Sequence, residues 1–281
     1  MTIADMPLYT HLDRIERGLA AMGIAPGAAV RPEQLFALDQ WHYHGTEAIA
    51  AAASTLGLTA ASHVLDIGSG VGGPARFLAA TYGCRVTGVT ISEAQRDYAV
   101  KRCAGLPIDV HLLDYRAGAL KRKGPFDKIL CMGMFEHVGK KNYDAFARTV
   151  RGLLAPGGLF LLQTIGRRLS TDRVDVWFDK HIFPNGVLPS PRDITRAMEP
   201  AFVLEDWHSA SADYEKTLLA WHANFERFAR GGGLRQGERF HRMWRYYLLS
   251  LAGAFRARNR HQLWQIVFSP EGIEDGYVSV R

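Results

Sequence analysis

The sequence predicts a doubly wound α/β fold: a mostly parallel sheet, helices on both faces, and an α-helical insertion before the last strand. Three observations carry this. Short apolar or β-branched runs alternate with amphipathic helical stretches between residues 63 and 164, and alternation at that spacing builds a parallel sheet covered on both faces. The first run leads into a glycine-rich turn, Gly68-Ser69-Gly70-Val71-Gly72-Gly73. Beyond Thr164 the alternation gives way to two long helical patterns and one final apolar run.

Residues 1–60 are expected to form an N-terminal helical cap, and residues 61–281 the main domain. Strands are expected at His63–Ile67, Arg85–Ile91, Ile108–Leu113, Asp127–Met132 and Gly158–Thr164, with helices at Pro74–Tyr82, Ser92–Cys103 and Asn142–Leu154. Ser92 followed by Gln95 reads as a capping box. Ala155-Pro156-Gly157-Gly158 reads as a turn that stops a helix before the next strand. Gly166 to Pro191 is loop-rich. A strand at Phe202–Trp207, helices near Asp213–Phe228 and Glu238–Ala257, and a last strand at Leu263–Phe268 complete the chain. The second of these helices carries Phe240, Trp244, Tyr247, Leu248, Leu251 and Phe255 on one face, a stripe suited to core packing. The region from about 166 to 260 is the expected acceptor-binding part.

With 281 residues, 47% of them apolar and 22% charged, the chain can bury a large core. No apolar run is long enough to span a bilayer; the alanine-rich stretch Ala48–Ala53 is helix material. Met1–Thr10 lacks the basic-then-apolar order of a secretory leader. Cys84, Cys103 and Cys131 are scattered and form no CxxC, so a reducing cytoplasm is expected, and no metal site. The formal net charge is +6, and nine arginines against two glutamates fall between Glu226 and Arg260. Such a cluster attracts an anionic surface or forms a solvated helical face.

The chemistry-bearing residues gather at expected strand ends. Gly68, Gly70 and Gly73 satisfy G-x-G-x-x-G, a pattern that lets a backbone approach a ligand at a helix N-terminus. A dinucleotide fold would place an acid at the end of the second strand. That strand instead ends Val89-Thr90-Ile91-Ser92, and the acid is Asp66, before the first glycine. Asp-x-Gly-x-Gly-x-Gly, here Asp66, Gly68, Gly70 and Gly72, resembles the S-adenosylmethionine loop of methyltransferases. Asp114 and Tyr115 close the third strand, where a carboxylate can accept an adenine amine and a ring can stack on the base. Thr90, Ile91 and Gln95 sit where the second strand meets its helix. Glu136, after the fourth strand, would emerge beside the cofactor's methyl group.

From about Val86 onward the chain resembles the cyclopropane fatty acid synthases. The stretches that carry the resemblance include Gly88-Val89-Thr90-Ile91-Ser92, Met134-Phe135-Glu136-His137-Val138-Gly139 and Ile182-Phe183-Pro184-Asn185-Gly186. Glu205-Asp206-Trp207-His208, Ala212-Asp213-Tyr214, Ala252 to Arg258 and Leu263-Trp264-Gln265 continue it. The resemblance implies a Rossmann-like methyltransferase sheet and transfer of a methyl(ene) carbon from S-adenosylmethionine to the double bond of an unsaturated lipid. It also implies a bound bicarbonate base, with Glu136, Tyr214 and the carbonyl of Ile165 among its holders; Gln163 stands at the family's histidine position. The family's N-terminal lipid-binding domain and its cysteine-bearing segment have no expected counterpart here. Instead Asp39 to Ala48, with Trp41-His42-Tyr43-His44-Gly45, resembles small-molecule methyltransferases, including those acting on glycine-derived amines. That likeness implies that Tyr43 and Gly45 meet the methionine end of the cofactor. His42 and His44 are candidate bases or plain surface histidines.

Three functions stay open on the sequence: methyl transfer to a lipid double bond, methyl transfer to a small amine or isoprenoid-like molecule, and a silent lipid- or cofactor-binding protein. The expected partners are a lipid or small-molecule acceptor and an anionic membrane touched peripherally at its inner face. Nucleic acid is not expected, and a homodimer is left open.

Overall fold

The computed structural model describes residues 12–40, 42–173, 175–234, 236–257 and 260–280. Helices α1 (Asp13–Ala21), α2 (Pro32–Leu35) and α3 (Thr46–Thr55) precede the sheet. Strands and helices then alternate: β1 (His63–Ile67), α4 (Gly73–Tyr82), β2 (Arg85–Thr90), α5 (Glu93–Arg102), β3 (Ile108–Leu112), α6 (Gly118–Lys121), β4 (Phe126–Met132), α7 (Tyr143–Arg151) and β5 (Leu154–Arg167). Helices α8 (Val176–His181) and α9 (Pro191–Met198) lead to β6 (Val203–Ser209). The long helices α10 (Ser211–Arg230) and α11 (Gly237–Arg256) follow, and β7 (His261–Ser269) closes the sheet.

The strand order is β3-β2-β1-β4-β5-β7-β6. The first five strands pair in parallel, while β7 runs antiparallel between β5 and β6. Chain order reverses between β1 and β4, so a crevice opens at the carboxyl ends of these two strands, where such sheets bind ligands. Alternation along β5 divides the core. Phe160 and Leu162 face Phe126, Phe146 and Phe268, whereas Leu159 and Leu161 face α3 and α4 through Ile49, Ala52, Ala75 and Leu78. A third cluster, with Tyr43, Tyr214, Leu218, Tyr247, Leu248 and Phe255, lies under α10 and α11. The apolar stripe read on α11 is therefore core, with Leu248 and Phe255 almost fully buried.

Three local expectations need correction. The stretch read as loop contains α8 and the start of α9. Helix α9 begins with Ser190, whose hydroxyl accepts from the Asp193 N–H while the Asp193 carboxylate accepts from the Ser190 N–H. Pro191 suits the first helical position, so it opens a helix there. The expected turn at residues 155–158 lies inside β5, which begins at Leu154 opposite Phe126; the pairing register shifts before Lys128 meets Leu159. At Ser92 half of the expected box forms. Its hydroxyl accepts from the Gln95 N–H at 3.3 Å, but the Gln95 side chain turns to Thr90. Trp41, Arg235 and Arg258 lie outside the described residues.

Candidate active site

β1 is buried from Val64 onward and delivers Asp66 to the crevice. Gly68, Gly70 and Gly72 have φ of 84°, 56° and 79°, a region that strains any residue with a Cβ. The N–H groups of Gly68 and Ser69 both donate to the Val89 carbonyl at 3.0 Å, tying the loop to β2. A Cβ on Gly68 would crowd Met134 at 2.9 Å, whereas at Gly70 the nearest atoms are the Gly68 carbonyl oxygen at 3.9 Å and Gln95 Oε1 at 4.0 Å. A Cβ at Gly70 would thus make only ordinary contacts. Asp66 is 2% exposed, and burial pushes its pKa up to about 6. Neither Asp66 Oδ2 nor Ser69 Oγ completes a hydrogen bond. A buried acceptor without a donor is rare in proteins unless a ligand supplies one.

At the next strand end, Thr90 Oγ1 donates to Gln95 Oε1 at 3.0 Å and accepts from the Ser92 N–H at 3.3 Å. Ile91 beside them is 50% exposed. Asp114 is clasped by Arg116, whose Nε and Nη2 donate at 2.8 and 2.6 Å and whose backbone N–H donates at 2.9 Å. The Arg116 side chain holds the Asp114 carboxyl below its usual range. The Tyr115 ring packs edge-on against Phe146 at 5.3 Å and meets the Arg116 guanidinium at 5.7 Å.

After β4 the chain makes a tight turn at Phe135–His137, fixed by Phe135 stacking on Tyr143 at 4.1 Å. This turn buries Glu136 to 8% exposure. Glu136 Oε1 accepts from the Ile165 N–H at 2.6 Å, and Oε2 has no partner. Burial raises the Glu136 pKa to about 7, with the Ile165 N–H opposing the rise. The phenol of Tyr214 is pushed well above its ordinary value by burial, then by Tyr247 and Glu136. Tyr43 belongs to the same aromatic cluster.

Ile165 touches Glu136 through its backbone. Its N–H holds the carboxylate, while its carbonyl accepts from Thr164 Oγ1 at 3.1 Å. Gln163 is 2% exposed. Its Oε1 accepts from Gln265 Nε2 at 2.9 Å, and the same Nε2 donates to the Ala48 carbonyl at 3.3 Å. His42 bonds to the Tyr43 carbonyl and the Gln40 side chain, and burial lowers its pKa. His44, at a φ of 54°, bonds to Glu47.

The sequence reading missed two features. Gln265 fixes the amide of Gln163. The fully buried pair Asp39–Arg76 ties the segment before Tyr43 to the glycine loop, because Arg76 Nη2 also donates to the Val71 carbonyl at 3.2 Å. A lone arginine in an amphipathic helix pattern gave no signal that it would be buried.

Residues 44–266 match the profile of the family described as mycolic acid cyclopropane synthetase. The chain is 50% identical over 213 residues to the cyclopropane-fatty-acyl-phospholipid synthase of Escherichia coli (strain K12), covering 76% of this chain and 54% of that protein. It is 33% identical over 232 residues to a probable fatty acid methyltransferase of Pseudomonas putida, covering 78% and 58%. The chain thus spans a little over half the length of these curated relatives. Among solved structures, the mycolic acid cyclopropane synthase CmaA1 complexed with SAH and CTAB aligns with a TM-score of 0.70 at 26% identity. That alignment covers 79% of this chain and 83% of the other.

Proposed function

The chain belongs to the mycolic acid cyclopropane synthetase family, and from that premise we propose that it is an S-adenosylmethionine-dependent transferase that adds a methyl carbon to the double bond of an unsaturated lipid. The observation that carries this is Glu136: a buried carboxylate with one oxygen unpartnered, beside an aromatic cluster and across the crevice mouth from the glycine loop.

The crevice fits the cofactor. Asp66 offers an unmatched buried acceptor, Gly70 leaves room where a side chain would intrude, and Asp114 and Tyr115 offer a carboxylate and a ring at the adjoining strand end. Gly68, Gly72, Thr90, Ile91 and Gln95 complete the holding set, with Tyr43 on the acceptor side. When bound, S-adenosylmethionine supplies an electrophilic methyl group. The SAH bound by CmaA1 is in keeping with this choice.

The chain's own part is electrostatic. Methyl transfer to an alkene leaves positive charge on the acceptor carbon. A carboxylate in a water-poor site stabilises such charge far more than one in water. Burial favours the protonated form of the unliganded Glu136, and developing positive charge favours its ionised form. The Ile165 N–H fixes one oxygen and leaves the other to face the acceptor. The rings of Tyr43, Tyr214 and Tyr247, with Ile182 and Leu218, exclude water and suit an acyl chain.

Bicarbonate fits these residues poorly. No positively charged side chain contributes to the Glu136 shift, and Gln163 can offer an anion only neutral N–H donors and no charge. An anion here would face a carboxylate without a compensating cation. The cation left by methyl transfer must lose a proton to solvent, either from the delivered methyl group, which closes the ring, or from a neighbouring carbon, which leaves a methyl-branched alkene. Bicarbonate is assigned no part in this step, and ring closure is expected to lag behind methyl transfer.

The test compares parent and Glu136→Gln on detergent-dispersed unsaturated phospholipid with methyl-labelled S-adenosylmethionine. The variant should bind the cofactor as tightly as the parent by calorimetry and lose about 10²-fold or more in turnover, the scale of a lost charge-stabilising group. Near-parent turnover in the variant would make Glu136 structural and overturn the proposal.

A further inference from the structure

We propose that the outward face of α11, together with α8, is a docking surface for an anionic phospholipid bilayer; this rests on reading the acceptor as a lipid. Helix α11 has two unlike faces. Tyr247, Leu248, Leu251 and Phe255 point into the core. On the opposite face, at helical spacing, lie Arg239, Arg242, Met243, Tyr246 and Leu249, with Tyr246 54% and Leu249 38% exposed. Helix α8 lies alongside. Its Trp177 ring meets Tyr246 edge-on at 4.5 Å, and its Val176 is 80% exposed. Between the two helices runs an open groove of about 500 Å³ lined by Trp177, His181, Arg239, Arg242, Met243 and Tyr246.

The charge of this face calls for an anionic partner. Among the described residues Arg239 and Arg245 form no ion pair, and Arg242 has only Glu238 at 3.6 Å. The acids of α8 are already engaged: Asp175 caps the helix by accepting from the N–H groups of Trp177 and Phe178, and Asp179 accepts from the Asn185 N–H. Guanidinia at the rim, with Trp and Tyr between them and exposed aliphatic side chains beside them, match a lipid headgroup layer above acyl chains. A nucleic acid would use the arginines and leave Val176 and Leu249 unexplained.

The face is also continuous with the acceptor cluster. Behind the groove, Phe178 and Phe183 meet the Tyr247 ring at 6.3 and 5.8 Å. Tyr247 shares the buried cluster of Tyr214. A continuous run of aromatic contacts therefore links this face to the cluster that contains Tyr214.

Sedimentation with lipid vesicles tests the proposal. The parent should bind vesicles containing phosphatidylglycerol, bind pure phosphatidylcholine far less, and release as salt rises. The exposed double variant Arg239→Ala/Arg242→Ala should bind the anionic vesicles about thirtyfold more weakly, the loss expected from two basic side chains at a charged surface. Val176→Asp should weaken binding too. All variants should keep parent turnover on detergent-dispersed lipid. Parent-like vesicle binding by the double variant, salt-independent binding to phosphatidylcholine, or tight RNA binding without vesicle binding would each overturn the docking face. Vesicle binding without labelled lipid would leave this face standing and refute the lipid acceptor instead.

Discussion

Burial, more than any charged neighbour, sets the state of Glu136. Its folded pKa, about 7, lies above the ordinary 4.5, so between these values the folded chain holds a proton that the unfolded chain has released. Stability contributed by this group is fully present below the ordinary value and is lost as pH rises through about 7. Asp66, raised to about 6, acts in the same direction. The unliganded parent should therefore melt at a lower temperature at pH 8 than at pH 5, and Glu136→Gln should lose much of that difference in calorimetric scans. Equal pH dependence in the two proteins would mean that Glu136 is solvated in solution. Gln163 makes the complementary case. Its residue type could be read from the sequence as a departure from the family's histidine. Its engagement by Gln265 could not, because the two meet only when strands about a hundred residues apart pair antiparallel. Gln163→His should raise the ratio of cyclopropane to methyl-branched product, read by mass spectrometry of the released acyl chains. An unchanged ratio would show that this position takes no part in ring closure.

At the scale of elements, the glycine loop was legible because backbone geometry demands it. Three positive-φ positions after a buried strand leave few residue choices, and the pattern declares itself. Gly70→Val adds two strains: a β-branched residue at a φ of 56°, and side-chain bulk in the space held open beside Gln95 Oε1. Calorimetry should find no S-adenosylhomocysteine binding to this variant, while its circular dichroism stays that of the parent. Retained binding would move the cofactor elsewhere. Helix α8 was not legible. It is six residues long, and its apolar side chains pack against α11 rather than repeating along a stripe of its own. Helix α9 is legible in principle, since Ser190-Pro191 with Asp193 is a start signal, but a proline after a loop-rich stretch equally marks the end of that loop. The pair Asp39–Arg76 shows the opposite limit. Two charges that look solvated in sequence are both fully buried, because the segment before Tyr43 folds back onto α4.

On the scale of the whole molecule, strand–helix alternation foretold β1 to β4 within one residue at each end, since each βαβ unit is local in sequence, while β5 begins four residues before and ends three residues after its expected span. The antiparallel insertion of β7 between β5 and β6 depends on where the long α10–α11 hairpin returns the chain. Periodicity places apolar faces but does not order strands. That hairpin contributes Tyr214, Leu218, Tyr247 and Phe255 to one buried cluster with Tyr43, while the sheet's reversal of order places the glycine loop and Glu136 at neighbouring strand ends. The most direct test incubates the chain with methyl-labelled S-adenosylmethionine and a combined lipid and small-metabolite extract, then identifies every labelled product. Label is expected in unsaturated acyl chains, in a carbon attached at the former double bond, and to fall about 10²-fold or more when Glu136→Gln replaces the parent. Label confined to a small amine, with the lipid fraction unlabelled, would contradict a lipid acceptor.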